Sequence, residues 1–279
     1  MTAAFDVLQS AWRNPRGRTG ALILLIVTIA ALFGPVLLPD PLAQPDVLDA
    51  SRPPGLGHPF GTDQLSRDVL ARVVSGGRIS LSVAFLAVGL SVTLGAAVGL
   101  VSGYWGGAVD ALLMRIVDGA LAIPRLFILL LVLAVWERVP VLALILLIGA
   151  TGWFATSRLV RGEVLRIREE GYVRAAEVLG ARRHRIIFRH LLPNALGPLL
   201  VAATLGVGDV ILLEAGLSFL GLGIQPPTPS WGGMILDSRE VMISAPWAGI
   251  FPGLAIVITV LAANLFGDAL RDAVDPRSA

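Results

Sequence analysis

The sequence predicts an all-α membrane protein with six transmembrane helices, on three observations. Of 279 residues, 55% are hydrophobic and 15% charged, with a mean hydropathy of +0.79, whereas a soluble domain carries about a quarter charged residues. The missing charge is concentrated in long charge-free runs. Those runs also have the length a crossing needs: at about 1.5 Å per residue, about 20 apolar residues traverse a hydrocarbon core of about 30 Å.

The elements follow in order. Residues 1–20 carry Arg13, Arg16 and Arg18 ahead of the first span, 21–38. A cleaved signal peptide is the rival reading, but its apolar stretch is about 7–15 residues, so an uncleaved anchor fits better. Residues 39–78 are an external segment. In it Leu65, Val69 and Val73 share a stripe with Leu70 and Val74 beside it, predicting a short amphipathic helix over 63–75 on the outer surface, ended by Gly76 and Gly77. The second span, 79–103, carries Gly95, Gly99 and Gly103 at spacings of four. Such a stripe lets a second helix backbone come close, although glycine is also simply common in membrane helices.

The third span, 119–136, is the weakest. Its charge-free part, Leu126–Trp136, is too short alone and draws in Pro124 and Arg125. The fourth span is 139–157, with Pro140 in its first turn. A loop over 158–192 leads to the fifth span, 194–213, which contains Asp209 and is followed by Glu214. An external loop, 214–247, stiffened by Pro226, Pro227 and Pro229 and bearing Trp231 and Trp247, precedes the sixth span, 248–266, and the tail, 267–279. The arginines test this count. With six spans and an inside N-terminus, 16 arginines fall inside and six outside, nine of the former within 158–189. Deleting the third span would move those nine opposite the N-terminal three, against the positive-inside bias. Both termini are therefore expected in the cytoplasm.

Several chemistries are excluded. The chain has no cysteine, hence no disulfide, thiol nucleophile or thiolate metal site. All 22 basic residues are arginine, so no phosphate-binding loop ending in Gly-Lys-Ser/Thr exists here. Gly216-Leu217-Ser218-Phe219-Leu220 nearly spells a hydrolase nucleophile turn, but Leu220 occupies the last glycine. His58, His184 and His190 are too scattered to bind a metal together. No catalytic, cofactor or metal residue is expected.

Two places invite function. The 158–192 segment is rich in Ala, Leu, Glu and Arg and predicts two short helices, about 163–179 and 181–190, meeting at Gly180 and closed by Pro193. Val173, Leu179, Ile186 and Ile187 offer apolar anchors, and Ala175 and Ala176 small side chains beside Arg174 and Glu177. This suits docking into a groove of another protein and equally an interfacial helix on anionic lipid. In the spans, Asp209, Glu214 and Asn264 are the candidates for a pathway lining that a cationic or zwitterionic solute would use. A central charge costs about 2.5–3.5 kcal/mol on insertion scales and usually faces water or a partner. A salt bridge, or interfacial exposure of Glu214, is the alternative.

The stretch Arg174-Ala175-Ala176-Glu177-Val178-Leu179-Gly180, followed by Leu192-Pro193, resembles the EAA loop of bacterial ABC importer permeases, with Arg174 where Glu is usual and His190 where Ile is usual. His58-Pro59-Phe60-Gly61-Thr62-Asp63, Arg67-Asp68-Val69, Gly77-Arg78-Ile79-Ser80-Leu81, Leu217-Ser218-Phe219-Leu220-Gly221-Leu222-Gly223, Pro229-Ser230-Trp231-Gly232 and Gly267-Asp268 through Asp272 extend the likeness over nearly the whole chain. Together they resemble the permease subunits of dipeptide/oligopeptide/nickel importers, the shorter of the two paired chains; Ser66 stands where a glycine is common.

The resemblance implies a type I ABC importer permease fold in the bacterial inner membrane. It also implies a second homologous permease, two cytoplasmic ATPases that hold ATP and Mg, and an external solute-binding protein. Arg174, Ala175, Ala176, Glu177, Leu179, Gly180, Ile186, Ile187, Leu192 and Pro193 would form the ATPase-coupling loop. Thr62, Asp63, Arg67, Pro229 and Trp231 would lie at the binding-protein face, unless that region merely packs over span ends. Peptides are the expected solute, with nickel or another solute as alternatives within the family. An ion-coupled secondary transporter is the rival of another class, and it predicts internal repeats that the sequence does not show.

Overall fold

The computed structural model describes residues 2–44 and 49–274, and every regular element among them is helical. In chain order these are α1 (Thr2–Arg13), α2 (Pro15–Leu37), α3 (Val69–Trp105), α4 (Gly107–Leu121), α5 (Arg125–Leu133), α6 (Val141–Arg168), α7 (Gly171–Val178), α8 (Arg183–Ile186), α9 (Leu192–Phe219), α10 (Trp231–Asp237) and α11 (Trp247–Val274). Helices α2, α3, α6 and α11, and the continuous rod from Arg183 through α9, are each long and apolar enough to cross a membrane. Helices α4 and α5 make a sixth crossing only if taken together, because they bend by 75° at their junction.

Packing direction shows why the bent pair must be a crossing. A Cβ built on Gly95 would lie 2.5 Å from the Thr156 Cβ, one on Gly99 2.6 Å from the Val160 Cβ, and one on Gly103 2.8 Å from the Val164 Cβ. Reciprocally, one on Gly149 would meet Leu90 and the Ala87 carbonyl at 2.7 and 3.0 Å. The residue numbers of the two helices rise together, so α3 and α6 run parallel. The chain between them must return across the bilayer, and α4–α5 is that return. Elsewhere neighbours are antiparallel: Gly20 of α2 against Ala262 and Phe266 of α11, Gly267 of α11 against Leu205 of α9, and Gly206 of α9 against Val88 of α3. The starts of α2 and α9 and the ends of α3, α6 and α11 thus share one side with the 169–191 loop. Helix α1 lies on that side too, its Ala11 buried against Ala269 and Leu270.

Local chemistry fixes the ends. Asn14 caps α2, accepting from the Arg16 N–H at 3.0 Å, with Pro15 in the first turn where its missing N–H costs nothing. Asp68 caps α3, accepting from the Ala71 N–H at 2.8 Å.

That cap corrects one expectation. No separate surface helix spans 63–75: residues before Val69 are a turn, and the apolar stripe belongs to the opening turns of α3, which continues unbroken through Gly76 and Gly77. These glycines make room for a neighbour. A Cβ on Gly77 would come within 2.9 Å of the Trp231 ring, and one on Gly76 within 3.3 Å of the Ser230 backbone. The fifth span also departs from its expected limits. Helix α9 runs to Phe219, so Glu214 lies inside the helix rather than in an outer loop.

The glycine seam generates a prediction. Gly99→Leu or Gly149→Leu should destabilise the detergent-extracted chain by at least about 1–3 kcal/mol through overpacking, read as a lowered thermal aggregation midpoint. Gly89→Leu, on α3 where a Cβ meets nothing within 4 Å, should leave that midpoint unchanged.

Candidate functional site

The 169–191 loop is built on the ends of its own spans. Helix α6 stops at Arg168, and after Glu169 and Glu170 the chain turns into α7. At its end the Ala181 N–H donates to the Ala176 carbonyl and the Gly180 N–H to that of Glu177, both at 3.0 Å, with Gly180 at φ +76°. This six-to-one closure needs the left-handed residue that glycine supplies most readily. The first helix therefore begins at 171, not 163, because α6 itself extends past that point. The second is also not a separate helix ended at Pro193. Helix α8 passes through a π turn, Ile187–Leu191, directly into α9. The wider turn lies immediately before Pro193, whose ring lacks the N–H that a regular turn would use.

Four expected anchors divide into two kinds. Val173 (0% exposed) and Ile186 (2%) are buried with Leu100, Val160, Val164, Ile167, Leu191 and Leu199, and Ile187 and Leu192 pack against them. Ile186, Ile187 and Leu192 therefore hold the loop to its own spans, and Pro193 is half-buried. Leu179 is 86% exposed, and its neighbour Val178, which the sequence reading passed over, is 88% exposed. Ala175, Glu177 and Gly180 are exposed beside them, Ala176 is half-buried, and Arg174 pairs with Glu169 at the base. Arg182, Arg185, Arg189 and His184 line a hollow of 770 Å³ under this apolar tip. Arg168 fastens the loop from behind, donating to the Gly103 and Tyr104 carbonyls at 3.2 and 2.9 Å.

Of the three pathway candidates, Asp209 is exposed and lines a hollow of 360 Å³ between α3, α5, α6 and α9. Arg125, at the start of α5, lines the same hollow. It lies at the bend of the third crossing, so it leaves the inside tally of arginines without changing the sign of that tally. Asn264 is exposed, with its Oδ1 3.5 Å from where a Gly208 Cβ would stand, beside the hollow and outside its lining.

Glu214 does not line this hollow. It is fully buried, its carboxylate accepting from the Ser80 hydroxyl at 3.0 Å and the Ser218 hydroxyl at 2.7 Å. Ser80 in turn accepts from the Trp231 N–H at 3.2 Å and Ser218 from the Ile224 N–H at 3.1 Å. A carboxylate in a helix is retained here because hydroxyls from two helices satisfy it.

The proposed outer face is likewise buried. Thr62, Asp63, Arg67 and Trp231 are interior, and Pro229 is half-buried. Asp63 accepts from the Arg67 Nε at 2.7 Å and from Arg72, while Asp237 of α10 takes the other end of Arg72 at 3.0 Å. The Thr62 carbonyl accepts from the Trp247 indole at 2.9 Å, and the Val73 carbonyl from the Trp231 indole at 2.8 Å. These residues stitch the 61–68 turn, α3, α10 and the start of α11 together. The polar groups of Thr62, Asp63, Arg67 and Trp231 are satisfied within the chain, and only Pro229 among the five expected residues is partly exposed.

Residues 95–279, containing the loop, the hollow lining of α6 and α9 and the tail, match the family model described as binding-protein-dependent transport system inner membrane component. The chain belongs to this family. Over 272 residues it is 41% identical to the dipeptide transport system permease protein of Alkalihalophilus pseudofirmus, covering 98% of this chain and 89% of that protein. It is 38% identical to the oligopeptide transport system permease protein of Bacillus subtilis over the same shares, 98% and 89%. With the dipeptide transport system permease protein of Bacillus subtilis it shares 40% identity, covering 96% and 85%. The chain is thus a non-catalytic translocation subunit of the bacterial inner membrane, crossing it several times. Binding-protein-dependent permeases as a family work with ATPase and binding-protein partners, and membership sets aside an ion-coupled secondary transporter.

Asp63→Ala would leave Arg67 and Arg72 buried around an empty position. Breaking a buried pair by removing one partner costs about 3–5 kcal/mol. The variant should therefore show reduced folded yield and a lower unfolding midpoint in detergent. Arg52→Ala, at a mostly exposed ion pair with Asp49, should change neither.

Proposed function

We propose that this chain is the translocation subunit of an ATP-driven peptide importer, with both termini and the 169–191 loop in the cytoplasm. The observation that carries the coupling role is the exposure of Val178 and Leu179 on a loop whose other large aliphatic residues are buried in the same chain. Two adjacent aliphatic side chains at the tip of a firmly held helix pair form a plug for an apolar notch. The arginines beside them supply a cationic collar for an acidic rim. Such a plug is expected to seat in a partner ATPase, and ATP and Mg belong to that partner, since this chain has no lysine with which to build a phosphate-binding loop.

The mechanical reading follows from covalent continuity. Helix α6 enters the loop and the Arg183–Phe219 rod leaves it, so movement of the seated plug tilts two helices that both line the Asp209 hollow. A second permease would close the pathway from the other side. The solute arrives from an external binding protein, and the relatives named for dipeptide and oligopeptide transport support peptides over nickel.

Burying one leucine contributes about 1.5–3 kcal/mol, equivalent to about 10–150-fold in affinity. Leu179→Asp and Ala176→Asp should therefore leave the chain inserted in the membrane while peptide uptake by the co-expressed transporter falls at least about ten-fold. Gly180→Pro should do the same, because proline fixes φ near −65° where the chain needs +76°. Normal uptake by all three variants would remove the docking role. A tag inserted after Arg183 should become reachable only when cells are permeabilised, and labelling of intact cells would reverse the orientation.

A further inference from the structure

The 360 Å³ hollow holds two opposite charges that are not paired with each other. Arg125 is held at one wall, its Nε donating to the Thr151 hydroxyl at 3.1 Å and a terminal nitrogen to the Ile148 carbonyl. Asp209 stands exposed on α9 across the space. The two groups interact electrostatically, yet no ion pair within 4 Å joins them among the described residues. In a bilayer, a carboxylate and a guanidinium lining one hollow would ordinarily pair with each other. Here Arg125 is restrained by α6, and the room between is kept by glycines. A Cβ on Gly152 would press to 3.0 Å from the Arg125 guanidinium and 2.7 Å from the Ser91 hydroxyl, and Gly206 sits opposite. Ser91 and Thr156 add neutral hydrogen-bonding groups, and the remaining wall is mostly aliphatic.

We propose that this hollow is a transit subsite for the backbone ends of a short peptide, Asp209 receiving the terminal ammonium and Arg125 the terminal carboxylate. The proposal rests on the peptide-import reading and adds to it the place and chemistry of a contact within the membrane. The dimensions suit it: a dipeptide extends about 7 Å, and small-ligand sites begin at about 300 Å³. Aliphatic walls recognise no particular side chain, whereas the two charges recognise what every free dipeptide shares. A guanidinium fork matches a carboxylate in a bidentate manner. Neither charge has an ion-pair partner among the described residues, so the solute would supply one to each without displacing a pair between them.

The absence of cysteine makes the test clean. Ser91→Cys places a single thiol of this chain at the wall of the hollow. In membrane vesicles containing the whole co-expressed transporter, dialanine at four times its half-saturating concentration should slow alkylation of that thiol about five-fold. N-acetyl-dialanine amide, of similar shape without either charge, should not slow it. Adding Asp209→Asn or Arg125→Gln to Ser91→Cys should each abolish the protection. Dialanine uptake without protection overturns the subsite, as does equal protection by the uncharged analogue or a thiol that never reacts. Failure of the unsubstituted transporter to take up any peptide is a separate result, and it overturns the peptide reading itself.

Discussion

Close approach of α3 and α6 is the contact on which the architecture turns. Lipid tails are as apolar as leucine, so helices in a bilayer gain little by hiding aliphatic surface from them; association relies on how near two backbones can come. Gly95, Gly99 and Gly103 on one helix, and Gly149 and Gly152 on the other, remove the side chains that would hold those backbones apart. Because the two helices point the same way, the chain between them has to cross back. The bent α4–α5 return follows, and with it the placement of Arg125 at its corner. Two ion pairs, Arg161 with Asp110 and Arg158 with Asp118, then tie α4 to α6.

The two ends of the bundle are held by different physics. At one end buried charges and hydroxyls interlock: Asp63, Asp237 and Glu214 each accept from groups on another element. Removing any one acceptor strands its donors in a dry environment. At the other end the loop is held by non-directional aliphatic packing of Val173, Ile186 and Leu191, with Arg168 on the Gly103 and Tyr104 carbonyls behind it.

The crossings were legible in the sequence because a bilayer writes its demand directly into composition. The arginine imbalance pointed to the third crossing even where hydropathy alone was too weak. What composition could not show was which neighbour a residue meets. Gly76 and Gly77 read as a stop because glycine ends helices in water, whereas here they receive Trp231. The resemblance places Thr62, Asp63, Arg67 and Trp231 at an outer face, with packing over span ends as the alternative, and the fold buries all four. Glu214 was assigned to a pathway on the rarity of charge in spans, an argument blind to the serines that satisfy it. The same rarity applies to Arg125, set between two charge-free runs, which shares the hollow with Asp209. Val178 carried no periodic signal at all, since its exposure depends on the turn closed at Gly180.

The uninterrupted path from Arg183 to Phe219 makes the loop and the outer seam parts of a single shaft. From Arg183 to Asp209 is about 39 Å at the helical rise, and Glu214 lies roughly one further turn and a half along. Pro198 and the π turn before Pro193 remove regular hydrogen bonds near the driven end, leaving a compliant collar below a stiff upper stem. The stem is tied to α3 through the hydrogen bond from Ser80 to Glu214, while the Ser218 bond lies within α9 itself. Under the proposed coupling, displacement at the arginine-rich end would turn the shaft about the Ser80 bond and carry Asp209 through an arc beneath it.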